Sequence, residues 1–339
     1  MLRRFLFPFS ALWWIITQVR NYLFDKSFIR SYKIPGNSIL IGNLSLGGTG
    51  KTPMAIYLTN LFKETQLINL LSRGYGRSTK GYIKVNLQHS ASEVGDEPML
   101  YARKFQKNVT VAVAEDRALG IRHLRQEEPN SLIILDDAFQ HRQITAGFSV
   151  LLTSYDSLFV NDLIFPSGNL RESRKGARRA NVIVVTKCPK NLSVERKNHI
   201  QNRISVYKKP IFFASISYAE VVPFGNELTL STNILLVTGI ANPNPLIEFL
   251  TEKNKIEHIS FSDHHNFSAK EIQKIHEKFD TFVNESWSIL TTEKDFMRLL
   301  PVIEKWGLSR YPWFYIPIKL KIENENAFNQ LLRDYVSTN

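Results

Sequence analysis

Residues 45–52, Ser45-Leu46-Gly47-Gly48-Thr49-Gly50-Lys51-Thr52, constrain this chain more than any other stretch. They follow an apolar run, Ser38-Ile39-Leu40-Ile41, that reads as a buried strand. They precede Pro53-Met54-Ala55-Ile56-Tyr57-Leu58, which reads as the opening of a helix. Strand, glycine-rich loop, Lys-Thr and helix together form a phosphate-binding arrangement. Glycines let successive backbone N–H groups turn inward around phosphate oxygens. The helix start adds unpaired N–H groups and the positive end of its dipole. Ser45, Gly47, Gly48, Thr49, Gly50, Lys51 and Thr52 are therefore expected to hold a nucleoside triphosphate, with Lys51 on the β- and γ-phosphates and the Thr52 hydroxyl on Mg²⁺. Ser45 stands where the usual pattern has Gly, but the central glycines that build the cradle are intact.

The pattern beyond this loop predicts strands at 67–71, 109–113, 148–152 and 180–186, with helices at 96–104 and 117–126 between them. Ser131-Leu132-Ile133-Ile134-Leu135 is a further strand that ends in Asp136-Asp137, the place where phosphate-loop proteins carry a Mg²⁺-holding acid. Either carboxylate suits the ion. Strands alternating with helices predict a doubly wound, mostly parallel sheet of the P-loop NTPase type over 34–219. The pattern restarts with strands at 233–239, 256–261 and 288–292, which predicts a second, smaller α/β domain over 220–339. Guanine-specific proteins of this class carry Asn/Thr-Lys-x-Asp after a late strand. Thr186-Lys187-Cys188-Pro189 has Pro at the last position, so ATP is the expected nucleotide.

The net charge of +12 bears on partners. It suits nucleic acid, an anionic membrane or a phosphorylated substrate. Arg171, Arg174, Lys175, Arg178 and Arg179 cluster within one short stretch, although such a run is by itself only a solvated face. No aromatic–basic recognition module accompanies it, so nucleic acid is not expected. The single cysteine, Cys188, excludes an intramolecular disulfide and fits a reducing compartment. In region 1–33, Leu12, Ile15, Ile16, Val19 and Leu23 recur at helical spacing beside Trp13 and Trp14. Arg3, Arg4, Arg20, Lys26, Arg30 and Lys33 flank them. The run is shorter than the roughly 20 apolar residues needed to cross a bilayer. It lacks the small-residue cleavage site of a signal peptide. It predicts an amphipathic helix lying in a membrane surface, with an ordinary core helix as the alternative.

Asp96, Asp136, Asp137, His141, Asp263, His264, His265 and Asp295 are candidate acid–base groups, and spacing does not choose among them. Taken singly, Asp96 is a helix N-cap and Asp263-His264-His265 a polar loop. No Cys pairing or His-x₃-His spacing supports a zinc site.

In combination, these segments resemble the tetraacyldisaccharide 4′-kinase family of lipid A biosynthesis. The resemblance runs through 42–53, Leu71-Ser72-Arg73-Gly74-Tyr75, Val94-Gly95-Asp96-Glu97-Pro98 and Leu135-Asp136-Asp137-Ala138-Phe139-Gln140-His141-Arg142. It continues in Pro166-Ser167-Gly168-Asn169-Leu170-Arg171-Glu172, Phe261-Ser262-Asp263-His264 and Thr292-Glu293-Lys294-Asp295. Ala138 departs from the family pattern, which has Gly there. The resemblance implies ATP-dependent phosphorylation of the 4′-hydroxyl of an acylated glucosamine disaccharide 1-phosphate. It implies a peripheral protein on the cytoplasmic face of an inner membrane, and no protein partner is called for. It makes Asp96 the general base, His264 its partner and Lys51 a catalytic cation. Arg73, Tyr75, Gln140, His141, Arg171 and Glu172 become substrate contacts, and Thr52, Asp136 and Asp137 the Mg²⁺ ligands. The competing class is a membrane-bound ATPase switch. Its signature lysine before Gly-Gly is replaced here by Leu46, and it leaves Asp263-His264 without a role.

Overall fold

The computed structural model describes residues 6–105, 107–282, 285–306 and 310–338. Arg3 and Arg4 lie outside the described residues. The fold is mixed α/β with two parallel-rich sheets. The chain divides into two compact units. The first comprises Met1–Asn86, Tyr101–Ser217 and Leu320–Asn339; the second comprises Leu87–Leu100 and Tyr218–Lys319. The sequence-based division puts all of 34–219 in one unit and all of 220–339 in the other, whereas 87–100 joins the second unit and 320–339 the first. The last stretch returns to the first unit because strand Ile318–Ile322 forms an edge of its sheet and Leu320, Ile322, Phe328 and Leu332 are buried.

The first unit is built on a nine-stranded sheet. Its spatial order is Ile318–Ile322, Ile211–Tyr218, Val182–Thr186, Phe148–Ser154, Ser38–Asn43, Leu132–Leu135, Ile68–Ser72, Val109–Val113 and Ile83–Lys84. The inner strands pair in parallel, and Ile83–Lys84 pairs antiparallel. Strands 38–43, 68–72, 132–135 and 182–186 are buried along their whole length, as parallel strands covered on both faces must be. The chain leaves strand 38–43, builds outward through 68–72 and 109–113, then returns to insert 132–135 directly beside the first strand. Ligands of doubly wound sheets bind where strand order reverses in this way, beyond the strands' C-terminal ends. Leu40 is in register with Leu135, and Asn43 with Leu152, so the segments after these strands emerge on one edge.

The second unit has a five-stranded sheet in the order Val222–Pro223, Trp313–Ile316, Trp287–Thr292, Asn233–Thr238, Lys255–Ser260. All pairs are parallel except the first. Alternation with period two sorts its residues into two cores. Leu235, Val237, Ile289 and Trp313 pack with helix Ala269–Asp280 on one face. Ile234, Leu236, Leu290 and Phe314 pack with helix Asn244–Thr251 on the other.

The N-terminal helix, Phe7–Asp25, inverts the usual burial. Its buried residues are polar: Ser10, Thr17 and Asn21. Leu12, Trp13, Trp14, Ile15, Ile16 and Val19 are exposed, while Leu23 is half-buried. Ser10 Oγ donates to the Ile164 carbonyl, Trp13 Nε1 to the Arg171 carbonyl and Asn21 Nδ2 to Glu172 Oε2. The core-helix alternative therefore fails, since the apolar stripe faces away from the unit. No helix among the described residues is long and apolar enough to cross a membrane.

Candidate active site

Two groups of side chains gather the expected residues, one in each unit. In the first unit, strand Ser38–Asn43 runs into the glycine-rich loop, and helix Lys51–Phe62 begins directly after it. Gly47 and Gly50 have φ of +95° and +83°, conformations that only glycine adopts without strain. Ser45 forms a bridge with Leu170, and Leu46 N–H donates to the Asn169 carbonyl, which ties the loop to the 163–171 segment. Thr186 Oγ1 donates to the Thr49 carbonyl at 2.8 Å. Thr49 Oγ1 is buried and has no hydrogen-bond partner among the described residues. Thr52 is half-buried in the first turn of the helix.

Asp136 and Asp137 follow the adjacent strand. A Cβ at Gly42 would fall 2.4 Å from Phe139 Cβ, so only glycine lets the Asp136–Phe139 turn close against the loop strand. Asp137 carries a positive φ of 48°, and Asp136 Oδ2 accepts from the Tyr101 hydroxyl at 3.0 Å. Ala138, the departure from the family pattern, has no positive φ, and its N–H donates to the Ile41 carbonyl. The turn accepts its methyl without strain. Lys51 Nζ lies 3.7 Å from Asp137 Oδ2, and Arg171 Nη1 lies 3.2 Å from Asp137 Oδ1.

Among the expected substrate contacts, Arg73 and Tyr75 are exposed beyond strand Ile68–Ser72. Gln140 Nε2 donates to the Asn43 carbonyl, and its Oε1 lies 3.4 Å from Arg171 Nη1. Burial pushes the His141 imidazole down to about 4, with the Arg117 and Arg73 cations adding to the effect and Asp137 opposing it. It is therefore neutral near pH 7. Glu172 differs in kind, being fully buried. It accepts from both Arg179 amino groups, from Asn21 and from Gln140. Its carboxylate supports the group from within rather than facing a ligand.

The second group lies at the C-terminal edge of the five-stranded sheet. Asp96 is the first residue of helix Asp96–Lys104, and its side chain faces Arg298 and His264. Arg298 Nε donates to both carboxylate oxygens at 3.1 Å, and Arg298 Nη2 to Oδ2 at 2.5 Å. His264 Nδ1 lies 3.1 Å from Oδ2. Burial raises the Asp96 carboxyl, but the hydrogen bonds and charges of Arg298, His264 and Lys294 outweigh it and hold the group below its usual value. His264 sits at φ +60°, with its N–H on the Gly239 carbonyl.

Arg298 and Lys294 come from helix Glu293–Lys305, which Thr292 caps through its side chain. Spaced four residues apart, they share one face of that helix. Asp295 is a support: it accepts from Gly239 N–H and the Thr292 hydroxyl and lies 3.6 Å from Arg298. Burial raises its carboxyl above the usual value. The sequence does not single out Arg298, Tyr101 or Arg117, and it offers Arg179 only as one member of the basic run. The i, i+4 spacing after Thr292-Glu293-Lys294-Asp295 was the one available signal for Arg298.

The family model for tetraacyldisaccharide-1-P 4′-kinase matches residues 2–337. A tetraacyldisaccharide 4′-kinase of Flavobacterium psychrophilum is 42% identical, with 99% of this chain and 98% of that protein aligned. One from Bacteroides thetaiotaomicron is 41% identical over 100% of this chain and 94% of its own. A crystal structure of the "apo" form of LpxK from Aquifex aeolicus in complex with ATP superposes with a TM-score of 0.77 at 29% identity. It covers 99% of this chain and 100% of that one. Matched from residue 2 to residue 337, the chain belongs to the tetraacyldisaccharide-1-P 4′-kinase family.

Proposed function

We propose that this protein is an ATP-dependent lipid kinase that transfers the γ-phosphate to the 4′-hydroxyl of tetraacyldisaccharide 1-phosphate in lipid A biosynthesis. The observation that carries the reading is the meeting of the glycine-rich loop with Asp136-Asp137. Both segments follow adjacent parallel strands, and Lys51 stands 3.7 Å from Asp137. A cation and a carboxylate at the mouth of such a loop suit a P-loop NTPase site. The orphaned Thr49 hydroxyl and the positive-φ glycines support a loop shaped around phosphate oxygens.

In this reading, residues Ser45 and Gly47–Thr52 hold the ATP phosphates, and Lys51 offsets the charge that spreads over the transferring group. The Thr52 hydroxyl and Asp136 or Asp137 supply the hard oxygen donors that Mg²⁺ prefers, the remaining positions being left to phosphates and water. These residues would hold Mg²⁺, which would supply neutralisation of phosphate charge. Asp96 accepts the proton of the 4′-hydroxyl, whose oxygen forms the new P–O bond as ADP departs with the bridging oxygen. His264 orients the Asp96 carboxylate. Arg73, Tyr75, Gln140, His141 and Arg171 bind the disaccharide phosphate, with Glu172 bracing them.

The outward apolar face of helix Phe7–Asp25 supports a peripheral position on the cytoplasmic face of the inner membrane. Trp13, Trp14, Ile15 and Ile16 suit the headgroup boundary, and the exposed Lys26, Arg30 and Lys33 suit anionic lipid.

The test is incubation with γ-labelled ATP, Mg²⁺ and tetraacyldisaccharide 1-phosphate in detergent micelles. Label at the 4′ position, lost in Asp96→Ala, supports both the kinase and its base. Free phosphate alone, where a known kinase of this class labels the lipid, overturns the assignment.

A further inference from the structure

The contacts of the His264 imidazole determine where its proton sits. Nε2 lies 3.0 Å from Lys294 Nζ. An ammonium group has three donors and no lone pair, so this contact is a hydrogen bond only if Nε2 is an unprotonated acceptor. A neutral imidazole with Nε2 bare carries its hydrogen on Nδ1. Nδ1–H then points at Asp96 Oδ2, 3.1 Å away. The alternative tautomer would set Nε2–H against a cation, its nearest carboxylate being Asp263 Oδ2 at 3.9 Å. An imidazolium would do the same with greater repulsion.

The other charged groups around the ring leave this choice to Lys294. Arg298 Nη2, which gives one hydrogen to Asp96 Oδ2 at 2.5 Å, has a second and lies 3.2 Å from Nδ1, so Nδ1 faces a donor and the Asp96 acceptor at nearly equal distance and does not itself choose the tautomer. Asp295 pairs with Arg298, and the neighbouring His265 faces Glu271 at 3.0 Å. Glu97 lies 3.8 Å from Lys294, which holds the ammonium in place from a second side. Lys294 is about one-third exposed, so its substitution removes a charge without opening a core.

We propose that Lys294 is a positioning residue of the Asp96–His264 pair: by occupying Nε2 it fixes His264 in the Nδ1–H tautomer, so that the imidazole donates to Asp96. A carboxylate that accepts from His264 on Oδ2 keeps Oδ1, which among the described residues accepts from Arg298 Nε, as the oxygen that receives a proton. In the opposite tautomer Nδ1 has no hydrogen to give, and Asp96 Oδ2 loses this donor. The inference rests on the proposed role of Asp96 for its meaning in catalysis, but the tautomer itself is a property of the resting protein.

The experiment reads the ring nitrogens of ¹⁵N-histidine-labelled full-length protein by long-range ¹H–¹⁵N correlation, without turnover. The His264 signal is identified by its loss in His264→Gln. In the wild type it should show a protonated Nδ1 and a bare Nε2. In Lys294→Met the protonated nitrogen should change to Nε2 or become a mixture, while Lys294→Arg, which keeps a cationic donor, should retain the wild-type pattern. Transfer to lipid should fall about tenfold in kcat in Lys294→Met, with the KM for ATP within about twofold, and recover in Lys294→Arg. A wild-type His264 protonated on Nε2, or an unchanged tautomer in folded Lys294→Met, overturns the proposal. If the tautomer behaves as expected while Asp96→Ala still phosphorylates lipid normally, the positioning contact stands and the proposed role of Asp96 falls.

Discussion

Asp137 and Asp96 are both carboxylates facing two basic side chains, yet the two settings differ in tightness. Asp137 is one-third exposed, and its cations stand off at 3.7 Å and 3.2 Å. Asp96 is mostly buried, gripped by an arginine of which 4% is exposed, with contacts of 2.5–3.1 Å. Long, wet contacts contribute little to stability and rearrange readily. Short, enclosed ones hold a geometry, and breaking one leaves a buried charge unpaired. Under the proposed function the loose cluster would take a triphosphate and its metal, and the tight one would hold a proton acceptor whose direction is set before substrate arrives.

The difference is open to direct attack, beginning where the largest effect is expected. Lys51→Ala should lower turnover by about 10²–10³, because it removes a donor that acts on charge developing in transfer. Folding should be almost untouched, since the Asp137 contact is long; a large drop in melting temperature would show the cluster to be structural after all.

Arg298→Gln should act differently, through pH. With Arg298 present the Asp96 carboxyl lies below its usual value, so it stays ionised as pH falls. Without it burial outweighs the remaining contacts of His264 and Lys294, the carboxyl rises, and the acidic limb of the kcat profile moves to higher pH. An unmoved limb in a folded variant would mean that the grip does not tune Asp96.

The smallest effect is expected for Arg171→Ala. Removing a partly exposed cation should raise the KM for the lipid substrate about fivefold, equivalent to about 1 kcal/mol. If neither KM nor turnover moved, Arg171 would have no part in substrate binding.

The loose cluster was legible in the sequence and the tight one was not, for a physical reason. The glycine-rich loop needs positive φ at fixed offsets from Lys51, and Asp136-Asp137 closes an apolar run, so both signals are local. The grip on Asp96 joins residues 202 positions apart, and nothing near Asp96 announces Arg298. Only the resemblance to a family paired Asp96 with His264. The same locality explains the domain boundary. Leu320 and Ile322 alternate as any strand does, and no change of composition marks their return to the first sheet. For helix Phe7–Asp25 the apolar stripe was plain, whereas the buried seam of Ser10, Thr17 and Asn21 was not, because small polar residues are ordinary on a helix.

The second unit is assembled from two separate stretches of chain, and this bears on whether it could ever be cut free. Excising 218–319 as one piece would retain the five-stranded sheet, His264, Lys294 and Arg298. It would leave Asp96 behind, since that residue arrives on the separate segment 87–100. Among the described residues the guanidinium would then keep only the Asp295 carboxylate within ion-pair distance, itself already bonded to Gly239 and Thr292. Losing one partner of such a pair typically costs about 3–5 kcal/mol. A fragment of 218–319 alone should therefore be less stable than one that also carries 87–100.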